Sequence, residues 1–276
     1  MFRDSTTIGQ YYPANSILHR LDPRVKLLGV VVYITAMFVI DNIFGLIFMF
    51  ATIVTLIIIS KVPLRYIFKG MRFVWFLVIV SIFFNLFFSD GQIIWQWWIF
   101  RLTYEGIMRA VFYSCRMLFI IVGASLLTYT TTPTTLTAGL EKAFSVLNFI
   151  HFPAHEMAMM LSIALRFIPI LAEETDKIMK AQLARGADFE SGGVIKKAKG
   201  MIPILIPLFV SAFRRASDLA DAMESRCYHG GDGRTKMHPL KYETRDKIAY
   251  FVLLAYTGAF ICVRIFLDKY LPMGKM

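Results

Sequence analysis

Two short arginine-centred triplets carry the most pointed chemistry in this sequence: Ala184-Arg185-Gly186 and Ser225-Arg226-Cys227, whose guanidinium groups stand 41 residues apart. A guanidinium is a fixed fork of donors, suited to a carboxylate on another protein. On the last turn of a helix it also faces the negative end of the macrodipole. A glycine just past it can take the left-handed conformation that closes a helix. A capped helix end therefore accounts for either triplet taken alone. The pairing points further, because both triplets end segments of the same plan.

Other groupings are weaker. His151, His155, His229 and His238 raise metal binding, but His155-Glu156-Met157-Ala158-Met159 has methionine where a zinc-protease helix needs its second histidine. Asp218, Asp221 and Glu224 share a helical spacing, yet they flank an apolar stripe as a solvated side does. Gly230-Gly231-Asp232-Gly233-Arg234-Thr235 lacks the Gly-x-x-x-x-Gly-Lys-Ser/Thr order of a phosphate loop, so ATP is not expected to bind there by that device. Cys115, Cys227 and Cys262 form no Cys-x-x-Cys pair, which argues against a disulfide framework or a zinc site. Arg116 and Arg264 lie in apolar stretches, where a cation is costly unless paired or near a helix end. Arg264 can snorkel; Arg116 is the more unusual.

The elements that must present the two arginines are long helices. From His155 to about Arg185 there is no glycine and only Pro169 interrupts, which predicts one helix kinked at that proline. Its first half, Met157–Ile170, is apolar nearly all round. Its second half is amphipathic, with Thr175, Ile178, Met179, Gln182 and Leu183 on one face and Glu173, Glu174, Lys177 and Lys180 elsewhere. After a break at Gly192-Gly193 the design repeats from about Val194 to Arg226, with Pro203 and Pro207 inside. Here Met201–Phe213 is apolar, and Ala216, Leu219, Ala220 and Met223 make an i, i+3, i+4, i+7 stripe. The likeness is a weak internal repeat. A run of turn formers, Thr130–Thr135, precedes a short helix near Leu136–Leu147; His151–Pro153 and the glycine-rich His229–Lys236 punctuate the rest.

The surrounding sequence is built for lipid. Hydrophobic residues make up 57% and aromatics 15%, above the usage of soluble domains, and they fall in blocks. Leu27–Ile40, Ile43–Ser60, Phe73–Phe88, Ala110–Tyr129 and Ile248–Leu267 approach the length that crosses a hydrocarbon core of about 30 Å. Five spans are expected, the first two forming a tight hairpin at Asp41-Asn42. The net charge of +11 is not a nucleic-acid signature, because the cations sit between spans as the positive-inside rule requires. Arg3, Arg20, Arg24 and Lys26, then Lys61, Arg65, Lys69 and Arg72, place the N-terminus and the second connection in the cytoplasm. Ser89–Glu105, with Trp95, Trp97 and Trp98, falls outside. Five spans would leave the C-terminus, from Asp268, outside as well. The first 16 residues contain no apolar core of a cleavable signal peptide, so the first span is expected to direct insertion. Three segments follow: residues 1–129 with an N-terminal cytoplasmic stretch and four spans, 130–247 with the arginine-tipped helices, and 248–276 with the last span. The middle segment holds 16 of 30 basic and 13 of 19 acidic residues and so breaks the apolar pattern; the fourth span is expected to return the chain to the cytoplasm ahead of it.

The opening run Gly9-Gln10-Tyr11-Tyr12-Pro13-Ala14-Asn15-Ser16, followed by His19-Arg20-Leu21-Asp22-Pro23-Arg24-Val25-Lys26-Leu27, resembles the signature of T components of energy-coupling factor transporters. The resemblance continues through Thr131-Thr132-Pro133, Leu165-Arg166-Phe167-Ile168-Pro169, Lys180-Ala181-Gln182-Leu183-Ala184-Arg185-Gly186, Ala222-Met223-Glu224-Ser225-Arg226-Cys227-Tyr228 and Gly230-Gly231. It covers nearly the whole chain and is greatest for T subunits shared among many vitamin-specific modules. It implies an all-α polytopic membrane protein with about five transmembrane helices plus two long Pro-kinked cytoplasmic coupling helices. It also implies a multi-pass place in the cell membrane and no catalytic residue in this chain. Two cytoplasmic ABC ATPases, identical or not, would hold the ATP and magnesium, leaving this chain without a cofactor. A small, interchangeable membrane protein would bind the vitamin or micronutrient. Carried over residue by residue, Ala184, Arg185, Gly186, Ser225, Arg226 and Cys227 would dock in ATPase grooves. The second triplet departs from Ala-Arg-Gly at both flanks, which leaves its arginine as the surest element. Pro169, Pro203 and Pro207 would kink the coupling helices. The substrate-binding protein would lean on the apolar halves, at Met157, Met159, Met160 and Phe209, since flexible methionines suit a surface that accepts several partners.

Two rival classes remain open at this point. A polytopic membrane enzyme would use Asp218, Asp221 and Glu224 as metal ligands. A self-sufficient secondary transporter would need an ionisable site near the bilayer midplane, for which the spans offer little beyond Arg116.

Overall fold

Capping chemistry sets the first helix boundaries. The computed structural model describes residues 11–40, 42–89, 91–97, 100–145, 149, 153–187, 189, 193–230 and 240–270. Gly9-Gln10, Asp41, Trp98, Leu147, His151, Gly192, His238, residues 231–236 and the end of the chain past Tyr270 lie outside the described residues. Ser16 accepts from the His19 N–H to start α1 (Ile17–Arg20). Asp22 accepts from the Arg24 N–H ahead of Pro23, so α2 (Pro23–Val39) begins with proline at its first position, where no N–H is needed. A break at Asn42 separates α2 from α3 (Ile43–Ser60).

Lys61 in the left-handed conformation (φ 56°) closes α3. The seven-residue α4 (Leu64–Gly70) follows, then α5 (Arg72–Phe88), bent from α4 by 64°. The connection Ser89–Glu105 is more ordered than the sequence reading foresaw. It contains an antiparallel hairpin, β1 (Ile93–Trp97) paired with β2 (Phe100–Thr103). Thr103 then caps α6 (Tyr104–Thr130), accepting from the Gly106 N–H at 3.1 Å while its hydroxyl donates to the Ser89 carbonyl at 3.1 Å. α7 (Pro133–Phe144), α8 (Ala154–Ala184), α9 (Val194–Glu224) and α10 (Thr244–Tyr270) complete the chain.

Two compact units partition these elements, one within Leu140–Pro239 and the other within Gly9–Gly139 together with Leu240–Met276. In the second unit α2, α3, α5, α6 and α10 enclose a core of Tyr33, Met37, Met49, Ile53, Phe112, Val122, Leu126, Tyr129 and Phe260. The α2–α6 crossing depends on Gly123, where any Cβ would collide with the Tyr33 ring. Small residues let helix backbones approach closely in lipid. Here the approach lets the Tyr33 hydroxyl donate to the Phe119 carbonyl at 3.1 Å. The outward faces are greasy: Phe73, Phe76, Ile79 and Phe84 of α5 and Phe251 and Leu254 of α10 are all more than half exposed. Such a surface requires lipid rather than water.

Among the described residues, five helices are long and apolar enough to cross a membrane: α3, α6, α8, Lys199–Glu224 of α9 and Thr244–Ile265 of α10. α4 and α5 would make a sixth, broken span. The protein is thus a multi-pass α-helical membrane protein, but the set of helices differs from the five expected stretches. α2 has 17 residues, about 26 Å, a little short of the hydrocarbon thickness. α8 and α9 qualify because each joins its apolar and amphipathic halves in one continuous helix of 31 residues.

Candidate functional site: two capped helix ends

The two triplets share one backbone geometry. At the end of α8 the Gly186 N–H donates to the Leu183 carbonyl and the Ala187 N–H to the Gln182 carbonyl, both at 3.0 Å, with Gly186 at φ 84°. At the end of α9 the Cys227 N–H donates to the Glu224 carbonyl at 2.8 Å and the Tyr228 N–H to the Met223 carbonyl at 3.1 Å, with Cys227 at φ 54°. Both are the paired 5→2 and 6→1 closure of a Schellman motif, which satisfies carbonyls that a helix end otherwise leaves open. Each arginine occupies the cap position just before the left-handed residue. Cys227 thus adopts the conformation that glycine takes in the first triplet, although its Cβ disfavours it. Ala184, Arg185, Gly186, Ser225, Arg226 and Cys227 are all exposed.

The helices that carry these ends cross in opposite directions. Glu174 of α8 accepts from the Ser211 hydroxyl of α9 at 2.7 Å and from the Arg215 guanidinium at 2.6 Å. Eight residues on, the Gln182 amide of α8 donates to the Pro203 carbonyl of α9 at 3.4 Å. Rising numbers on α8 meet falling numbers on α9, so the pair is antiparallel. At about 1.5 Å per residue, Arg226 lies roughly 35 Å along α9 from Pro203, beside which α8 is about to end. The two arginines therefore sit at opposite ends of the crossed pair.

Half-buried Thr175, Ile178, Met179 and Gln182 on α8 agree with the amphipathic face read from the sequence; Leu183 is exposed, and Glu174 belongs to the side facing α9. On α9 the inward positions are Ile204, Leu208, Ser211, Arg215, Leu219 and Met223, while Ala216 and Ala220 are exposed. Ile202, Leu205, Ile206, Phe209, Val210 and Phe213 form a separate exposed apolar stripe, in which the Phe209 and Phe213 rings stack at 6.3 Å. On α8, Met157 and Met160 are exposed and Met159 is half-buried. Pro169, Pro203 and Pro207 all lie inside unbroken helices. Asp218, Asp221 and Glu224 are exposed, and among the described residues no three His, Cys, Asp or Glu are grouped to hold a metal. Arg116 is seated over the Phe112 and Tyr113 rings, 4.9 and 5.7 Å from their centroids, which gives this cation an aromatic face.

Sequence reasoning missed what the opening run does. The His19 Nε2–H donates to the Tyr12 carbonyl at 2.9 Å, and Nδ1 shares a hydrogen bond with the Ser16 hydroxyl at 2.7 Å. Burial lowers the His19 pKa, which favours the neutral ring. Lys26, just ahead of the apolar stretch of α2, donates to the carbonyls of His19 and Thr130 and to the Thr131 hydroxyl. Burial pushes its pKa down to about 8. Asp246 of α10 accepts from the Asp22 N–H at 2.8 Å, tying the last helix to the first turn of α2. Arg24 lies 4.8 Å over the Tyr242 ring. The signature is therefore a knot that fastens three elements of one unit. Only the concentration of His, Asp, Arg and Lys around a proline hinted at it.

Comparison with known proteins places this architecture. The cobalt transport protein family, CbiQ, matches residues 14–238, from the opening knot through both arginine ends. The energy-coupling factor transporter transmembrane protein EcfT of Clostridium kluyveri is 48% identical over 265 residues, covering 95% of this chain and 98% of its own. That of Thermosediminibacter oceani is 48% identical over 88% of this chain and 92% of its own, and that of Lactococcus lactis subsp. cremoris 43% over 91% and 94%. With near-complete coverage at this identity, the chain belongs to the family of energy-coupling factor transporter transmembrane proteins.

Proposed function

We propose that Arg185 and Arg226 are the two points at which separate cytoplasmic ATPases hold this coupling subunit, and that α8 and α9 carry ATP-driven motion to a membrane substrate-binding protein. The observation that supports this reading is the duplicated geometry: two 31-residue helices close with the same Schellman motif, each presenting an exposed arginine immediately before its left-handed residue. Exposed guanidinium forks at opposite ends of a crossed pair suit two carboxylate-bearing grooves on two subunits. A charge-assisted bond of that kind, once buried by docking, costs about 2–5 kcal/mol when one partner is removed.

The subunit's part is mechanical. Closure of the ATPases on ATP and magnesium would draw on the arginine ends, with no cofactor needed in this chain. The apolar surfaces at Met157, Met160 and Phe209, with Met159 beneath, would repack against the substrate-binding protein as it reorients to release a vitamin or micronutrient inward. Co-expression with the candidate ATPases tests the reading. The wild-type chain is expected to co-purify with both, and Arg185→Glu plus Arg226→Glu to lose them. Wild-type recovery of both ATPases by the double variant would refute it.

A further inference from the structure

We propose that Glu174, Ser211 and Arg215, with Gln182 and the Pro203 carbonyl, form a clasp that fixes the register of α8 on α9 and makes the two helices move as one lever pair. Two separate features converge on it. At the first contact one carboxylate serves two donors of the facing helix, its Oε1 accepting from Ser211 and its Oε2 from Arg215, at positions i and i+4 of the same face. A carboxylate engaged at both oxygens resists sliding in either direction.

The second contact arises from backbone chemistry. Pro207 has no N–H, so the Pro203 carbonyl, four residues earlier, loses the partner that an α-helix would supply. The Gln182 amide of the other helix donates to that carbonyl. The prolines at 203 and 207 thus create an acceptor whose partner lies on α8, three residues before Arg185. The two contacts are eight residues apart on both helices, Glu174 to Gln182 and Pro203 to Ser211, so they match in spacing along the crossing. Two matched pins fix register as well as proximity; one would allow pivoting alone.

The clasp is a positioning device whose function rests on the coupling reading above. Its test uses the complete transporter, with both ATPases and a substrate-binding membrane protein, reconstituted in liposomes, with ATP hydrolysis and uptake measured together. For Glu174→Ala the ATPases are expected to remain bound at wild-type yield and hydrolysis to continue, while uptake per ATP falls at least fivefold. Exchanging the charges, Glu174→Arg with Arg215→Glu, is expected to restore more than half of the loss. An unchanged uptake-to-ATP ratio in Glu174→Ala overturns the proposal. So does an assembled charge-swap complex no better than Glu174→Ala, which would reduce Glu174 to local packing. If Glu174→Ala does not assemble, Gln182→Ala replaces it, with at least a twofold fall in the ratio expected and no fall overturning the clasp. Failure of the docking reading would show separately, as ATPases retained by the doubly substituted arginine ends.

Discussion

Single residues decide how each helix end is closed, and here the two ends make opposite predictions. Gly186 has open space around it, so Gly186→Ala acts only through the left-handed backbone and should destabilise the α8 end by about 1 kcal/mol. Cys227→Gly should cost nothing and stabilise the α9 end by up to about 1 kcal/mol, because the strain is already present there. Hydrogen-exchange protection of the last turn of each helix measures both. His19 makes a pH prediction. Its folded pKa is lowered, so the neutral ring is the form that folding favours. Its contribution is complete above the ordinary value of about 6.5 and is lost progressively as pH falls from there toward the folded value. Melting in detergent between pH 7.5 and 5 should show this decline, and His19→Gln should flatten it. Arg185 was legible because a guanidinium next to glycine is a spelled-out cap, and Arg226 because it ends a segment of the same plan. The left-handed Cys227 was not, since nothing in a cysteine announces positive φ.

At the scale of elements, α8 and α9 were readable nearly to the residue, because a run broken by nothing but one or two prolines and closed by terminal turn formers leaves little choice. What they pack against was not readable. Glu174 looks like one more solvated carboxylate until α9 brings Ser211 and Arg215 to it. The spacing of Pro203 and Pro207 could have revealed the freed carbonyl, though not the glutamine that meets it. Gln182→Ala and Pro207→Ala should therefore be non-additive, with a coupling of about 0.5–1 kcal/mol in a double-mutant cycle, because the Pro207→Ala change would return an intrahelical donor to the Pro203 carbonyl and leave less for the Gln182 bond to contribute. The α2–α6 crossing offers a steric counterpart. Gly123→Val should destabilise by about 1–3 kcal/mol, as the Tyr33 ring has nowhere to retreat in a packed core. Thermal unfolding of the purified chain measures it. The hairpin of β1 and β2 escaped the sequence reading because tryptophans at a membrane surface and tryptophans in a strand obey the same composition.

For the whole molecule, lipid as solvent was plain from hydropathy, while the identity of the membrane-length helices was not. An apolar run and an amphipathic run joined without a break pass the same length test as a span, which is how α8 and α9 come to qualify. Chain closure is likewise a tertiary matter. Asp246 reaches back across most of the sequence to the Asp22 N–H and also accepts from the Glu243 N–H at 2.8 Å. Asp246→Ala should cost about 1–3 kcal/mol by leaving a buried donor unmet, and should expose α10 to limited proteolysis before the other helices. The opposed directions of α8 and α9 have a consequence of their own. Pulls directed along the line that joins their far ends would only compress the pair, whereas opposed pulls across the two axes would form a couple that turns it.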